Sequence, residues 1–420
     1  MLAEFVRDAV AQRFLHRGRF EPVIEELAAA LRNRGYAPST VRVYGQTAGH
    51  FLFWLMRRKV PLSAVSEDTA GRFVTEHLPR CRCHLCGPRR DQHSAHAALR
   101  QLLAVLRAKQ RIPRRSSSQP LAVRRAVDRF DRYLQDTCGL SEATRIYRRR
   151  YATEFLLEVF GKAPLRIREL TPKRIIEFFT QHAERCSPGS AQVMASSLRS
   201  YLRFEQLRGH SDRRLVAAVP CIPQWRLAAL PEVLTAAEMQ RLFTAFDQRS
   251  PTGQRDYAMT RCVADLGLRA GEVAQLRLDS VDWQAGQLFV HRSKARRNDV
   301  LPLPTSTARA LIAYLRHGRP RTTERALFVR HVVPVGKPIG PGVVRNAVRY
   351  AAQRVGLRDR CRGTHILRHT AATRMVCAGA SLKEVADVLG HRCLDTTAIY
   401  TKVDLPRLST VPLPWPGRSR

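Results

Sequence analysis

Two arginines, two histidines, a lysine and a tyrosine in the last part of this 420-residue chain have types and spacings suited to chemistry on an anionic group. Arg269 stands in DLGLRAGEVAQLRLDSVDW, at a Gly-flanked helix start with Glu272 one turn later. Lys294 sits in the basic middle of VDWQAGQLFVHRSKARRNDVLPLP. In THILRHTAATRM, His365 and Arg368 are three residues apart and so share one helix face. His391 follows Gly390 in LGHRCLDTTAIYTKV, which ends with Tyr400 near its close. Guanidiniums offer planar, fixed donors to an anion, imidazoles move protons near neutrality, and a tyrosine hydroxyl can act as a covalent nucleophile. Each residue alone has an ordinary reading: a solvated or capping arginine, a satisfied core histidine, a packed tyrosine, a lysine in a solvated turn. Those readings would all have to hold together at these positions.

Such residues need elements to position them. LTAAEMQRLFTAF has a Thr cap at Thr235 and apolar residues Met239, Leu242, Phe243 and Phe246 at helical spacing, which predicts the first helix of a unit. A turn at Ala285-Gly286, alternation around Leu288 and Val290 and a short apolar run from Val300 to Leu303 predict a β-hairpin with Lys294 near its tip. SLKEVADVLGH reads as a short helix, with a capping box from Ser381 to Glu384, apolar Leu382, Val385, Ala386 and Leu389, and a terminating Gly390.

Upstream, the chain repeats itself. RGYAPSTVRVYGQTAGHFLFWL and the later VSEDTAGRFVTEH align with CGLSEATRIYRRRYATEFLLEV and LTPKRIIEFFTQH. Each copy has a glycine (Gly35, Gly139), an Arg and Tyr helix start (Arg42 and Tyr44; Arg145 and Tyr147), and a closing Phe and His (Phe73 and His77; Phe178 and His182). Two related helical bundles are expected. RRSSSQP between them suits an exposed linker, and the prolines of VPCIPQWRLAALP mark a second break.

The charge points to the partner. With 72 Lys+Arg against 35 Asp+Glu, the net charge is +37, which a compact body tolerates best beside a polyanion. Nucleic acid is the obvious polyanion, and its binding should weaken steeply with salt; the less favoured alternative is an Arg-rich composition inherited from a GC-rich host. At 44% hydrophobic and 25% charged residues the chain is globular, not an extended tail. No run of about 18 uncharged apolar residues occurs, so membrane spanning and secretion are not expected. Cys186, Cys221, Cys262, Cys377 and Cys393 are too scattered for a disulfide framework, and a reducing cytoplasm fits better.

Taken together, LGLRAGE, HILRHTAAT and LGHRCLDTTAIYT, in this order and with Tyr400 lying 32 positions after Arg368, resemble the tyrosine recombinase (phage integrase) family. The resemblance is strong across about Leu230 to Val403 and weaker over about Leu121 to Arg208. It implies a mainly α fold with a small β-hairpin or sheet (α+β), in which helical SAM-like core-binding domains precede a catalytic domain. The expected division is 1–112, an N-terminal helical DNA-binding domain; 113–120, a linker; 121–218, the core-binding domain; 219–231, a linker; 232–405, the catalytic domain; and 406–420, a tail. The resemblance also implies roles: Tyr400 attacks a DNA phosphodiester to give a 3′-phosphotyrosine, and Arg269 and Arg368 bracket the transition-state charge. Lys294 protonates the leaving 5′-oxygen, His365 assists as acid or base toward the tyrosine, His391 donates to the phosphate, and Glu272 braces the site. Neither ATP nor a metal is expected in that chemistry. The implied partners are double-stranded DNA at specific sites and further protomers, as a homotetramer on DNA or an assembly with related recombinases. Integration, excision or transposition of a mobile element is the expected role; a type IB topoisomerase-like enzyme and a catalytically silent DNA-binding accessory protein are the alternatives.

One cluster is left over. RCRCHLCGPRRDQHSAH carries Cys81, Cys83, Cys86, His84, His93 and His96, enough for four tetrahedral zinc ligands of a structural site. The alternative is a set of free thiols and imidazoles in a basic loop.

Overall fold

The computed structural model describes residues 5, 12–13, 15–16, 20–81, 91–113, 119–223, 231–292, 297–391, 393 and 396–403. Lys294, Cys83, His84, Cys86, the middle of both linkers and the C-terminal tail lie outside them. The architecture is mainly helical with one small antiparallel sheet, as expected. Two compact units divide the chain, one formed by Met1–Ile112 with Leu227–Arg420 and the other by Pro113–Arg226.

Within the first unit, residues 20–112 build a bundle from α1 (Glu21–Asn33), α2 (Pro38–Arg57), α3 (Glu67–Arg72) and α4 (Gln92–Ala108). Proline begins α2 at a position where its missing N–H costs no hydrogen bond. Ser66 caps α3 through the Thr69 N–H, and Asp91 caps α4 through the N–H groups of His93 and Ser94. The apolar stripes of these helices meet around Leu27, Phe51, Leu52, Phe73 and Leu102.

The second unit repeats the plan with α5 (Leu121–Arg132), α6 (Glu142–Phe160), α7 (Pro172–Ala183), α8 (Pro188–Leu207) and the short α9 (Arg213–Ala217). Its core gathers Phe130, Phe155, Phe178 and Tyr201, with Phe130 and Tyr201 edge to face at 5.2 Å.

The remaining part of the first unit, from residue 231, holds the candidate chemistry. It contains α10 (Ala236–Thr244), α11 (Pro251–Leu266), α12 (Ala270–Gln275), β1 (Val281–Asp282), β2 (Gln287–Arg292), β3 (Arg297–Pro302), α13 (Thr305–Ala313), α14 (Pro341–Arg354), α15 (Thr364–Cys377) and α16 (Leu382–Leu389), then a 3-10 segment, Ala398–Val403. Thr235 and Glu238 form the capping box of α10, and Met239, Leu242, Phe243 and Phe246 are all buried. The expected hairpin is β2 and β3, paired with Leu288 opposite Leu301, and the short β1 adds a third strand on the far side of β2. Leu288, Val290 and Arg292 alternate inward along β2. Among the described residues, no helix is long and apolar enough to cross a membrane.

Candidate active site

Two left-handed glycines shape the floor of the site. Gly267 ends α11 at φ +63°, and a Cβ there would stand 2.5 Å from Leu389 Cδ2. Gly390 ends α16 at φ +63°, where a Cβ would stand 2.8 Å from Arg292 Nε. A side chain at either position meets both backbone strain and a packed neighbour.

Glu272, buried on α12, ties two arginines together. One carboxylate oxygen accepts from Arg269 Nη1 at 2.7 Å. The other accepts from the Arg269 backbone N–H at 2.8 Å and from Arg292 Nη1 at 2.8 Å. Arg292, 1% exposed, also donates to Asp299 at 2.9 Å and to the Val388 carbonyl at 2.5 Å. A buried charge with partners on β3, α12 and the end of α16 fixes those elements against one another, because leaving any partner unpaired is costly. Arg292→Met should therefore lower stability by about 3–5 kcal/mol, since it strands Glu272 and Asp299 partly unpaired. Urea unfolding of the full chain measures this, and a change below about 1 kcal/mol would contradict the bracing role.

Arg368 projects from α15 into the same place. It is 3% exposed, donates to the Gly267 carbonyl through Nη1, and reaches the Leu389 carbonyl at 2.7 Å through Nη2. Two carbonyls thus orient the fork and leave its remaining N–H groups for another acceptor. Burial, then the nearby Arg269, lower its pKa to about 10, so it stays cationic at neutral pH. Arg269 reaches the Gly390 carbonyl at 3.4 Å, next to the carbonyl that holds Arg368.

Tyr400 is 2% exposed and packs against Ala372, Val376, Val385 and Leu389. Its hydroxyl lies 2.8 Å from Nδ1 of His369. Burial raises its pKa, while Arg368 and Arg269 pull it back down. His369 is held neutral, its pKa lowered to about 4 by burial, His365 and Arg368. His365 is exposed and meets the His369 ring at 4.7 Å, edge to face. His391 Nδ1 lies 2.8 Å from Thr397 Oγ1, which orients the ring. Burial and the surrounding arginines lower the pKa of His391 to about 4 as well.

Arg269, Arg368 and Tyr400 are thus brought together, with His391 directly after the Gly390 that Arg269 touches. His365 stands one ring away from the tyrosine hydroxyl, and its contact to Tyr400 passes through His369. Lys294 lies outside the described residues. Sequence reasoning missed His369 and Arg292. The first sits beside Arg368 in the same motif, and the second lies two positions after Val290 on the inward face of β2, so alternation carried a signal for it. Of the Cys/His cluster, His93 and His96 are exposed on α4, whereas Cys81 is buried beside His50 and His77.

Residues 232–406 match the profile of the Phage integrase family. Integrase/recombinase y4rA of Sinorhizobium fredii is 36% identical over 392 residues, which cover 93% of this chain and 93% of that protein. Tyrosine recombinase XerC of Oceanobacillus iheyensis is 29% identical over 66% of this chain and 91% of its own length. Among solved structures, a lambda integrase tetramer bound to a Holliday junction superposes with a TM-score of 0.53 at 19% identity, covering 75% of this chain and 88% of that one.

Proposed function

This chain belongs to the phage integrase family of tyrosine recombinases, and on that premise we propose how its residues cleave and rejoin DNA and what it assembles with. Tyr400 attacks the phosphodiester, its phenol proton passes to His369, and a 3′-phosphotyrosine ester forms while the 5′-oxygen leaves with a proton from Lys294. Arg269 and Arg368 bracket the two nonbridging oxygens, on which negative charge develops in the transition state. His391 adds a donor to the same phosphate, and His365 orients His369. The phosphotyrosine conserves the energy of the broken bond, so rejoining needs no ATP, and the cationic set does the work that a metal does in hydrolytic nucleases. The reverse attack by a 5′-hydroxyl of a second duplex completes strand exchange.

The observation that carries this reading is the tyrosine hydroxyl within hydrogen-bond reach of a neutral imidazole and under the influence of two guanidiniums. The chain works on double-stranded DNA in the cytoplasm as four protomers joined on two sites, either copies of itself or related recombinases. Its element is mobile, and the two helical bundles grip the duplex through their arginines. The direct test is trapping. Nicked duplex from the ends of its own genetic element, incubated without added divalent cation, should yield a slower-migrating adduct on a denaturing gel. Binding without any adduct would overturn the assignment in favour of an accessory binder.

The His369 assignment has its own test. His369→Ala should slow single-turnover cleavage by about a hundredfold, the lower end of what a general base supplies. Because the pKa of His369 is lowered to about 4, the imidazole remains unprotonated as pH falls from 8 to 5, and cleavage should not decline there on its account. An imidazole of ordinary pKa would instead impose a fall below about pH 6.5. A wild-type rate that drops tenfold between pH 7 and pH 5, and does so only when His369 is present, would contradict this.

A further inference from the structure

The first helical bundle holds a side-chain group that the recombination chemistry leaves unused. His50 on α2 is 3% exposed, and its Nε2 lies 3.1 Å from Nε2 of His77 and 3.5 Å from Sγ of Cys81. The three donor atoms all lie within 4.8 Å of one another. We propose that His50, His77 and Cys81 bind Zn(II) as a structural site, leaving one position of a tetrahedron for water or another donor.

The distances suit that ion. Bonds of about 2.0–2.1 Å to nitrogen and about 2.3 Å to sulfur give tetrahedral edges of about 3.4 Å between nitrogens and about 3.6 Å between nitrogen and sulfur. A hydrogen bond accounts for either contact of His50 taken singly. Convergence of an imidazole and a thiol on one ring nitrogen, with all three donor atoms within 4.8 Å of one another, is an arrangement that a metal can use.

The backbone is built to make this convergence. After α3 the helix widens into a π turn, Phe73–His77, and then tightens into a 3-10 turn, Leu78–Arg80, before Cys81. A widened turn re-aims side chains and is frequent at functional sites. Here it carries His77 against His50, with ring centroids 5.2 Å apart, and the tight turn brings Cys81 round to the same ring. Phe73 stands edge-on to His50 at 5.0 Å, and Trp54 lies 5.9 Å from His77, so one side of the site is walled by aromatic rings. A cavity of about 610 Å³, lined by Trp54, His77 and Cys81 together with Glu76, Arg57, Arg58 and Arg80, adjoins the cluster.

The second bundle supplies an internal control. It repeats the His-x-x-x-Cys spacing in His182 and Cys186. There His182 Nδ1 lies 2.9 Å from the Phe178 carbonyl, its Nε2 lies 3.3 Å from Glu158, and Cys186 donates to the Ala183 carbonyl at 3.7 Å. The spacing recurs without the cluster, and the difference is the buried His50 on the facing helix. A zinc ion at the first position would pin α2 to the turns that precede α4, strengthening a bundle of modest size.

The test uses the full chain purified without chelator from zinc-supplemented cells. Elemental analysis should find close to one zinc per chain, and exchange with Co(II) should produce a thiolate-to-cobalt charge-transfer band. Cys81→Ser should lose that band and His77→Gln should lose the zinc, with helicity retained by circular dichroism, whereas Cys186→Ser should keep both. Wild-type protein free of stoichiometric zinc and without a charge-transfer band would overturn the proposal. So would a Cys81→Ser variant that keeps the band at full strength, because the metal would then sit on other thiolates.

Discussion

Replacing Tyr400 with Phe is expected to lower covalent DNA cleavage by at least about 10⁴-fold, in line with the loss of an essential nucleophile in other covalent enzymes. Duplex affinity should stay within about twofold. The substitution removes one oxygen and keeps the ring that packs against Ala372, Val376, Val385 and Leu389, so the local fold has no reason to change. DNA binding rests instead on the surplus of 37 positive charges, which the variant retains. The paired measurement is adduct yield on nicked DNA and affinity by gel shift at one stated salt concentration. Equal adduct yields from the two proteins would sink Tyr400 as the nucleophile. Loss of both adduct and binding would point to a folding defect, which circular dichroism separates from loss of chemistry.

Much of this candidate site was legible through the LGLRAGE, HILRHTAAT and LGHRCLDTTAIYT motifs that carry the family resemblance. Arg269, Arg368 and Tyr400 stand out within them, and a planar guanidinium fork or a phenol hydroxyl has no close substitute among the other side chains. The helix ends were equally readable: Ser381 and Glu384 close their capping box, and Gly390 adopts the left-handed conformation that its place after Leu389 implies. What remained hidden depends on side-chain direction. HILRH contains two histidines, and only the rotation of α15 about its axis decides which one faces Tyr400; His369 does, and the more exposed His365 meets the His369 ring instead. Arg292 was lost among the basic residues of its hairpin, although strand alternation places it inward with Leu288 and Val290. His50 and His77 are 27 positions apart on different elements. Their meeting is a tertiary event that no local pattern encodes, whereas the adjacent cysteines and histidines drew notice through spacing alone.

Arg368→Lys is the sharper probe of the proposed anion site, because it keeps the charge and removes the fork. We expect cleavage to fall by about 10³-fold, comparable to loss of a preorganised donor in an oxyanion site. The guanidinium spends Nη1 on the Gly267 carbonyl and Nη2 on the Leu389 carbonyl, and it can do so while still presenting N–H groups to a phosphate. An ammonium on a shorter reach has three donors at a single point and cannot span two carbonyls on different elements while also meeting the substrate. Burial sharpens the contrast. It already lowers the Arg368 pKa to about 10, and a lysine, whose ordinary pKa is about 10.4, would suffer the same desolvation from a lower starting point. At that position the ammonium would give up its proton in mildly alkaline solution, so the variant keeps most of its charge at pH 7 and loses it as the pH rises. Single-turnover cleavage measured from pH 7 to about pH 9.5 separates the two losses. A further fall relative to wild type above about pH 8 reports loss of the amine proton, and the deficit already present at pH 7 reports the missing fork. A lysine variant that cleaves within fivefold of wild type at pH 7 would mean that positive charge alone suffices, and the two carbonyl contacts of Arg368 would then be a matter of folding instead of catalysis.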